Sequence, residues 1–200
     1  VCDTEGNAVM GPLVYSNFDA GQYAFTLKEE NGAAGGVTYD ETEYIVQVTV
    51  TVDDEGMPAI ALSEEAFRFA NRYDASGVWH PAAQAVLTGA EMQDGLFVVS
   101  LYEDGEERQA AALDRSGQAV FEEITYGIAD IGTHSYTFRI ASQPAGYELD
   151  ALEYSLEVVA ADAGDGTLTV QAGDAPVFGI AYHAQGTLSL GGKGVTLWNL

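Results

Sequence analysis

The chain has 200 residues, and its 47% apolar content is enough to bury a core in one large domain or two small ones. Against 31 Asp and Glu stand 7 Lys and Arg, a formal net charge of −24. Such a surface repels phosphate backbones and anionic headgroups, so nucleic-acid binding is close to excluded and attachment to an anionic membrane is disfavoured.

In chain order, the segments read as β-strands. Tyr23, Phe25 and Leu27 share one parity, and residues 43–52 alternate apolar with polar types and are rich in β-branched side chains. The best helical stretch, Ser63 to Phe69, is too short to stand alone. Further strands are predicted at 95–102, 117–126, around Tyr136, Phe138 and Ile140, and at 153–160, 167–171, 176–182 and 187–198. Gly and Asp clusters at 53–56, 103–105, 114–117 and 162–166 mark the turns. The expected class is all-β, a sandwich of short strands. No apolar run reaches bilayer-spanning length, and the single cysteine, Cys2, precludes an internal disulfide or a cysteine-rich zinc site.

The chain repeats itself. Residues 3–10 match 114–121, Leu13 to Tyr15 matches Ile124 to Tyr126, and Asp40 to Tyr44 matches Asp150 to Tyr154. Gly21 to Leu27 matches Gly132 to Ile140 with a two-residue slip, and Phe69 to Tyr73 matches Phe178 to Tyr182. The period of about 110 residues suits one sandwich domain. Residues 1–73 are expected to form the last two thirds of one repeat. A linker is expected at 74–77, a complete repeat at 78–183, and the first strand of a third repeat at 184–200. That frame makes the first repeat incomplete at its N-terminus, its gap filled either by a preceding piece of polypeptide or by strand 187–198 donated from a neighbouring copy.

Three segments in order carry a family resemblance: Gly-x-Tyr-x-Phe-x-Leu-x-Glu at 21–29, Gly-Val-Thr-Tyr-Asp-x-x-x-Tyr-x-Val-x-Val-x-Val at 36–50, and Phe-x-Asn-x-Tyr at 69–73. The pattern resembles the streptococcal pilin isopeptide-linkage domain, one of the Cna B-like, immunoglobulin-like sandwiches of Gram-positive surface proteins. The resemblance implies a structural, non-enzymatic role in an extracellular, cell wall-attached pilus shaft or adhesin stalk, with neighbouring repeats or subunits of the same fibre as partners and no cofactor. It also implies a cross-link between a first-strand Lys and a last-strand Asn, assisted by a carboxylate. A buried Lys amine is nucleophilic when neutral, and a buried carboxylic acid that hydrogen-bonds the Asn carbonyl would help ammonia leave.

The resemblance places the carboxylate at Glu29 and the amide at Asn71. By parity, Glu29 continues the inward stripe, Asn71 lies between Phe69 and Tyr73, and Lys28 points outward. By parity alone the ordinary reading is a Glu29 that emerges into water at a strand end and an Asn71 bonded to backbone, and the family pattern reverses it. The second repeat lacks the set. Ala85 (or Gln84) stands at the Lys position, Ser142 opposite Glu29 and Ile180 opposite Asn71, so no cross-link is expected there. An alternative alignment puts Asn199 at the Asn position. Lys193 falls about one period after Ala85 and is either a third repeat's reactive Lys or an exposed residue of a Gly-rich turn.

No phosphate loop or nucleophile elbow is present, no metal site is assigned, and His80, His134 and His183 read as solvated. The acidic turns read as hairpin tips. Two other roles remain open from sequence: a ligand-binding adhesin domain, Ca²⁺-assisted and using Trp79 or Trp198 as an aromatic platform, and an accessory module of a secreted enzyme.

Overall fold

A computed structural model describes residues 6–64 and 66–184. The chain divides into two compact units, up to Tyr73 and from Asp74 onward. Unit 1 contains β1 (Gly21–Lys28), β2 (Val37–Thr38), β3 (Glu43–Val52), β4 (Pro58–Leu62) and β5 (Arg72–Tyr73). Its main sheet is antiparallel in the order β1-β3-β4, and β2 pairs with β5. The alternation in 43–52 produces β3, with Val48 and Val50 inward at 3% and 2% exposure and Ile45 outward at 69%. Cys2, Lys193, Trp198 and Asn199 lie outside the described residues.

Unit 2 contains β6 (Ser76–Trp79), β7 (Ala82–Thr88), β8 (Val98–Glu103), β9 (Glu106–Ala112), β10 (Gln118–Val120) and β11 (Ile124–Gly127). A 3-10 turn at Ile128–Asp130 follows, and then β12 (Gly132–Ile140), β13 (Tyr147–Leu149), β14 (Glu153–Asp162), β15 (Leu168–Ala172) and β16 (Val177–Tyr182). One sheet has the order β15-β14-β12-β8-β9 and another β10-β7-β16-β13. Inward aromatics join the two layers: Tyr154 of β14 meets Phe178 of β16 edge-on at 5.0 Å, and Phe138 of β12 meets Phe121 at 5.6 Å. Phe97, Leu101, Phe138 and Phe178 are fully buried. The unit is a β-sandwich.

Several expectations change. Ser76 and Gly77, read as linker, open β6, which pairs with β11. A Cβ on Gly77 would sit 2.5 Å from the Leu168 carbonyl, so only glycine lets β6 pass that close to β15. The predicted 117–126 strand splits at Phe121–Glu123, because β10 pairs with β7 in one sheet and β11 with β6 in another. Strand β9 has a sequence poor in β-formers and is held by its pairing to β8.

The two units share a plan. Strands β1, β3 and β4 correspond to β12, β14 and β15, and β2 with β5 to β13 with β16. In unit 2, β12 pairs on both sides, with β14 and β8, and β16 pairs with β13 and, in parallel, β7. Among the described residues of unit 1, β1 pairs only with β3 and β5 only with β2. Phe25 of β1 is 38% exposed, whereas Tyr136, its equivalent in β12, is fully buried.

Candidate functional site

Glu29 immediately follows β1, and Asn71 immediately precedes β5. The sheet register brings these distant positions together: the Asn71 Nδ2–H donates to Glu29 Oε1 at 2.7 Å. The other carboxylate oxygen, Oε2, is buried and has no hydrogen-bond partner among the described residues. Such an atom is costly unless a donor reaches it.

The amide oxygen is fixed as well. The Asp40 backbone N–H donates to Asn71 Oδ1 at 2.9 Å, which sets the amide's orientation, since a backbone N–H can only donate. The Asp40 carboxylate bridges the neighbouring chain segments. Its Oδ2 accepts the Ala70 N–H at 2.8 Å, and its Oδ1 accepts the Thr42 N–H and hydroxyl. The Thr42 hydroxyl, then the amides of Ala70 and Thr42, hold the Asp40 carboxyl below its ordinary range. Tyr44 adds a clamp, its hydroxyl donating to the Arg68 carbonyl at 2.7 Å and its ring packing on Phe67 and Phe69.

The site thus joins Glu29 and Asn71 directly, but Glu29 holds the amide nitrogen. The amide oxygen, expected to bond the carboxyl group, bonds Asp40 N–H instead. Sequence reasoning used Asp40 only to align the repeats, because a main-chain donor leaves no mark in residue identity. Lys28 points outward, its side chain 68% exposed and its Nζ 3.9 Å from Glu43.

Strand register identifies the same three places in unit 2. Leu27 pairs with Tyr44 and Phe138 with Tyr154, so Gly21 corresponds to Gly132 without a slip. The ring pairs Tyr15–Tyr23 and Tyr126–His134 keep the same spacing. Two residues beyond Leu27 and Phe138 lie Glu29 and Ile140. The equivalent of Glu29 is therefore Ile140, not Ser142; the apparent slip arose from aligning Leu27 with Ile140. Asn71 corresponds to Ile180, since Tyr73 and Tyr182 hold matching pairs with Val37 and Tyr147. Ala85 of β7 lies opposite Phe178, two residues before Ile180. Ala85, Ile140 and Ile180 are all buried, at 6%, 2% and 2% exposure. Unit 2 has an apolar cluster where unit 1 has an acid and an amide.

A second polar cluster lies inside unit 2. The Tyr126 and Tyr136 hydroxyls are 2.9 Å apart, Tyr136 donates to Glu103 Oε1 at 2.8 Å, and Arg108 Nε donates to Glu103 Oε2 at 2.8 Å. Burial pushes both phenols up, keeping them protonated donors. His134, expected to be solvated, sits with Nδ1 3.3 Å from Glu103 and Nε2 on the Asp130 carbonyl. Trp79, considered as a ligand platform, is half-buried and packs on Tyr136 at 4.6 Å and on Phe138. The acidic turns use their carboxylates on their own backbone: Asp53 accepts from Glu55 and Met57, and Asp165 from Thr167.

The model of the Spy0128-like isopeptide containing domain, FctA, matches residues 4–74 and 82–183. The chain belongs to this family. The two matches fall on the two structural units, and family membership makes the chain a tandem of pilin-type structural domains. No curated protein matches the chain.

Proposed function

We propose that the chain is a shaft or stalk module of a Gram-positive surface fibre, in which unit 1 holds an amide cross-link centre built on Glu29 and Asn71. Unit 2 is on this reading a sandwich without a covalent cross-link. One observation carries the proposal: a carboxylate bonded through one oxygen to an asparagine amide, its other oxygen buried and without a partner among the described residues. A lysine amine arriving there would meet both an acceptor for its proton and the Asn71 carbonyl carbon.

The attacking amine forms a C–N bond to Asn71 Cγ. Glu29 takes its proton and returns one to Nδ2, and ammonia departs. The products are a secondary amide and ammonia, and atoms balance. Once the strand that carries the lysine has docked in the sandwich, the reacting groups are held together and the step is effectively intramolecular, which supplies much of the rate. By analogy with unit 2, where β7 lies parallel along β16, the lysine enters on a strand parallel to residues 69–73, at the place of Ala85. Lys193, delivered from a strand of another copy, is the candidate within this chain. Residues 184–200 then serve as a donated strand or as the first strand of a further unit.

Denaturing gels test that source. A ladder that survives boiling and disappears in Lys193→Ala supports donation from a second copy, and a clean monomer band overturns it. The site itself is tested by incubating the chain with a synthetic peptide of residues 80–90 carrying Ala85→Lys. The expected adduct is chain plus peptide minus one ammonia, absent in Asn71→Ala. An adduct that persists in Asn71→Ala overturns the assignment.

A further inference from the structure

The position of Asp40 is used differently in the two units. In unit 2 the backbone N–H of its equivalent, Asp150, donates to the Gly179 carbonyl at 2.9 Å, an ordinary main-chain bond between β13 and β16. In unit 1 the matching N–H turns from the backbone to the Asn71 side chain, 2.9 Å from Oδ1. The Asp40 carboxylate then takes the Ala70 N–H, and it is itself anchored on Thr42. A main-chain donor is diverted onto an amide oxygen only in the unit that has the amide. The neighbouring acid holds the nitrogen of the same amide.

Resting on the cross-link reading above, we infer that the Asp40 backbone N–H is the oxyanion donor of the reaction and that the Asp40 carboxylate is the positioning group that aims it. When the lysine amine attacks Asn71 Cγ, the carbonyl π pair moves onto Oδ1, whose negative charge falls on a hydrogen bond already in place. As the C–Nδ2 bond breaks, that pair returns to re-form the carbonyl. Glu29 serves the nitrogen side, moving the proton from the attacking amine to the leaving ammonia. Acid and oxyanion donor thus divide the amide between them, and neither duty requires the other's group. Because the donor is fixed before reaction, no reorganisation is needed as charge develops. The carboxylate's grip on Ala70 fixes the segment carrying Asn71 against residue 40, which keeps the donor in line.

The test follows adduct formation with the Ala85→Lys peptide under saturating and sub-saturating conditions. Replacing the residue-40 amide with an ester removes the N–H while keeping every side chain, at the cost of a weaker Tyr39 carbonyl acceptor. The expected result is a saturated rate lowered about 10²–10³-fold, with the half-saturating peptide concentration unchanged. Asp40→Ala should also lower the saturated rate, and Asp40→Asn should restore part of it, because an amide oxygen can still accept from Ala70 or Thr42. An ester variant that links at the wild-type rate, while Asn71→Ala fails to link, overturns the oxyanion assignment and leaves the cross-link reading standing. Linking that persists in Asn71→Ala overturns both.

Discussion

At Asp114 the side chain closes a turn. Its Oδ1 accepts the Ser116 N–H, the Ser116 hydroxyl and the Gln118 N–H. The Ser116 hydroxyl and the Gln118 amide hold its carboxyl below the ordinary range. A lowered native pKa means stability that is present above the unfolded carboxylate range and is lost as pH falls through the native value. Asp114→Ala should therefore unfold at lower urea than wild type at neutral pH, and the gap should close as pH falls below the carboxylate range; a gap that widens on acidification would contradict this. In the core, Phe138 is fully buried between Phe121 and Trp79, so Phe138→Ala should cost about 3–5 kcal/mol of unit 2 stability, read from the urea midpoint. At this scale the family motif made Glu29 and Asn71 legible, whereas parity alone pointed to a Glu29 emerging into water and an Asn71 bonded to backbone. The Asp40 amide was not legible, because its role depends on where the backbone points.

The strands carry a prediction that separates the two alignments. If Ile140 is the equivalent of Glu29, its place is sealed beneath the sandwich, and Ile140→Glu buries a charge without a partner. The expected loss is about 3–5 kcal/mol. Ser142 is exposed beyond the end of β12, so Ser142→Glu should change stability by less than about 0.5 kcal/mol. Urea unfolding of both variants decides, and equal losses would contradict the register. Strands of alternating β-branched and apolar residues were legible: the predicted 43–52 is β3, and 153–160 falls within β14. Strand β7 (Ala-Ala-Gln-Ala-Val-Leu-Thr) and the Ala-rich β9 carried little signal, because their small residues suit a crowded layer without announcing a strand. The two-residue slip looked natural in sequence because Leu27 and Ile140 are both aliphatic. Pairing across β3 and β14 removes it.

Over the whole chain, one structural plan is used in two chemical states, with polar groups at Glu29 and Asn71 in unit 1 and apolar ones at the equivalent places, Ile140 and Ile180, in unit 2. The repeat was legible because turn residues and core stripes recur with the domain period. A second partner for β1, which among the described residues pairs only with β3, was not legible, since an edge strand's partner is specified by its own residues and not by the edge. Unit 2 should unfold as an ordinary domain, within about 5–15 kcal/mol and unaffected by Glu29→Gln. The most direct measurement is peptide mass mapping of the protein isolated from the organism that makes it. The account predicts a peptide containing Asn71 joined to a lysine peptide with one ammonia lost, and no joined pair within residues 78–183. An Asn71 peptide recovered unmodified throughout, or a covalent bridge inside 78–183, would contradict it.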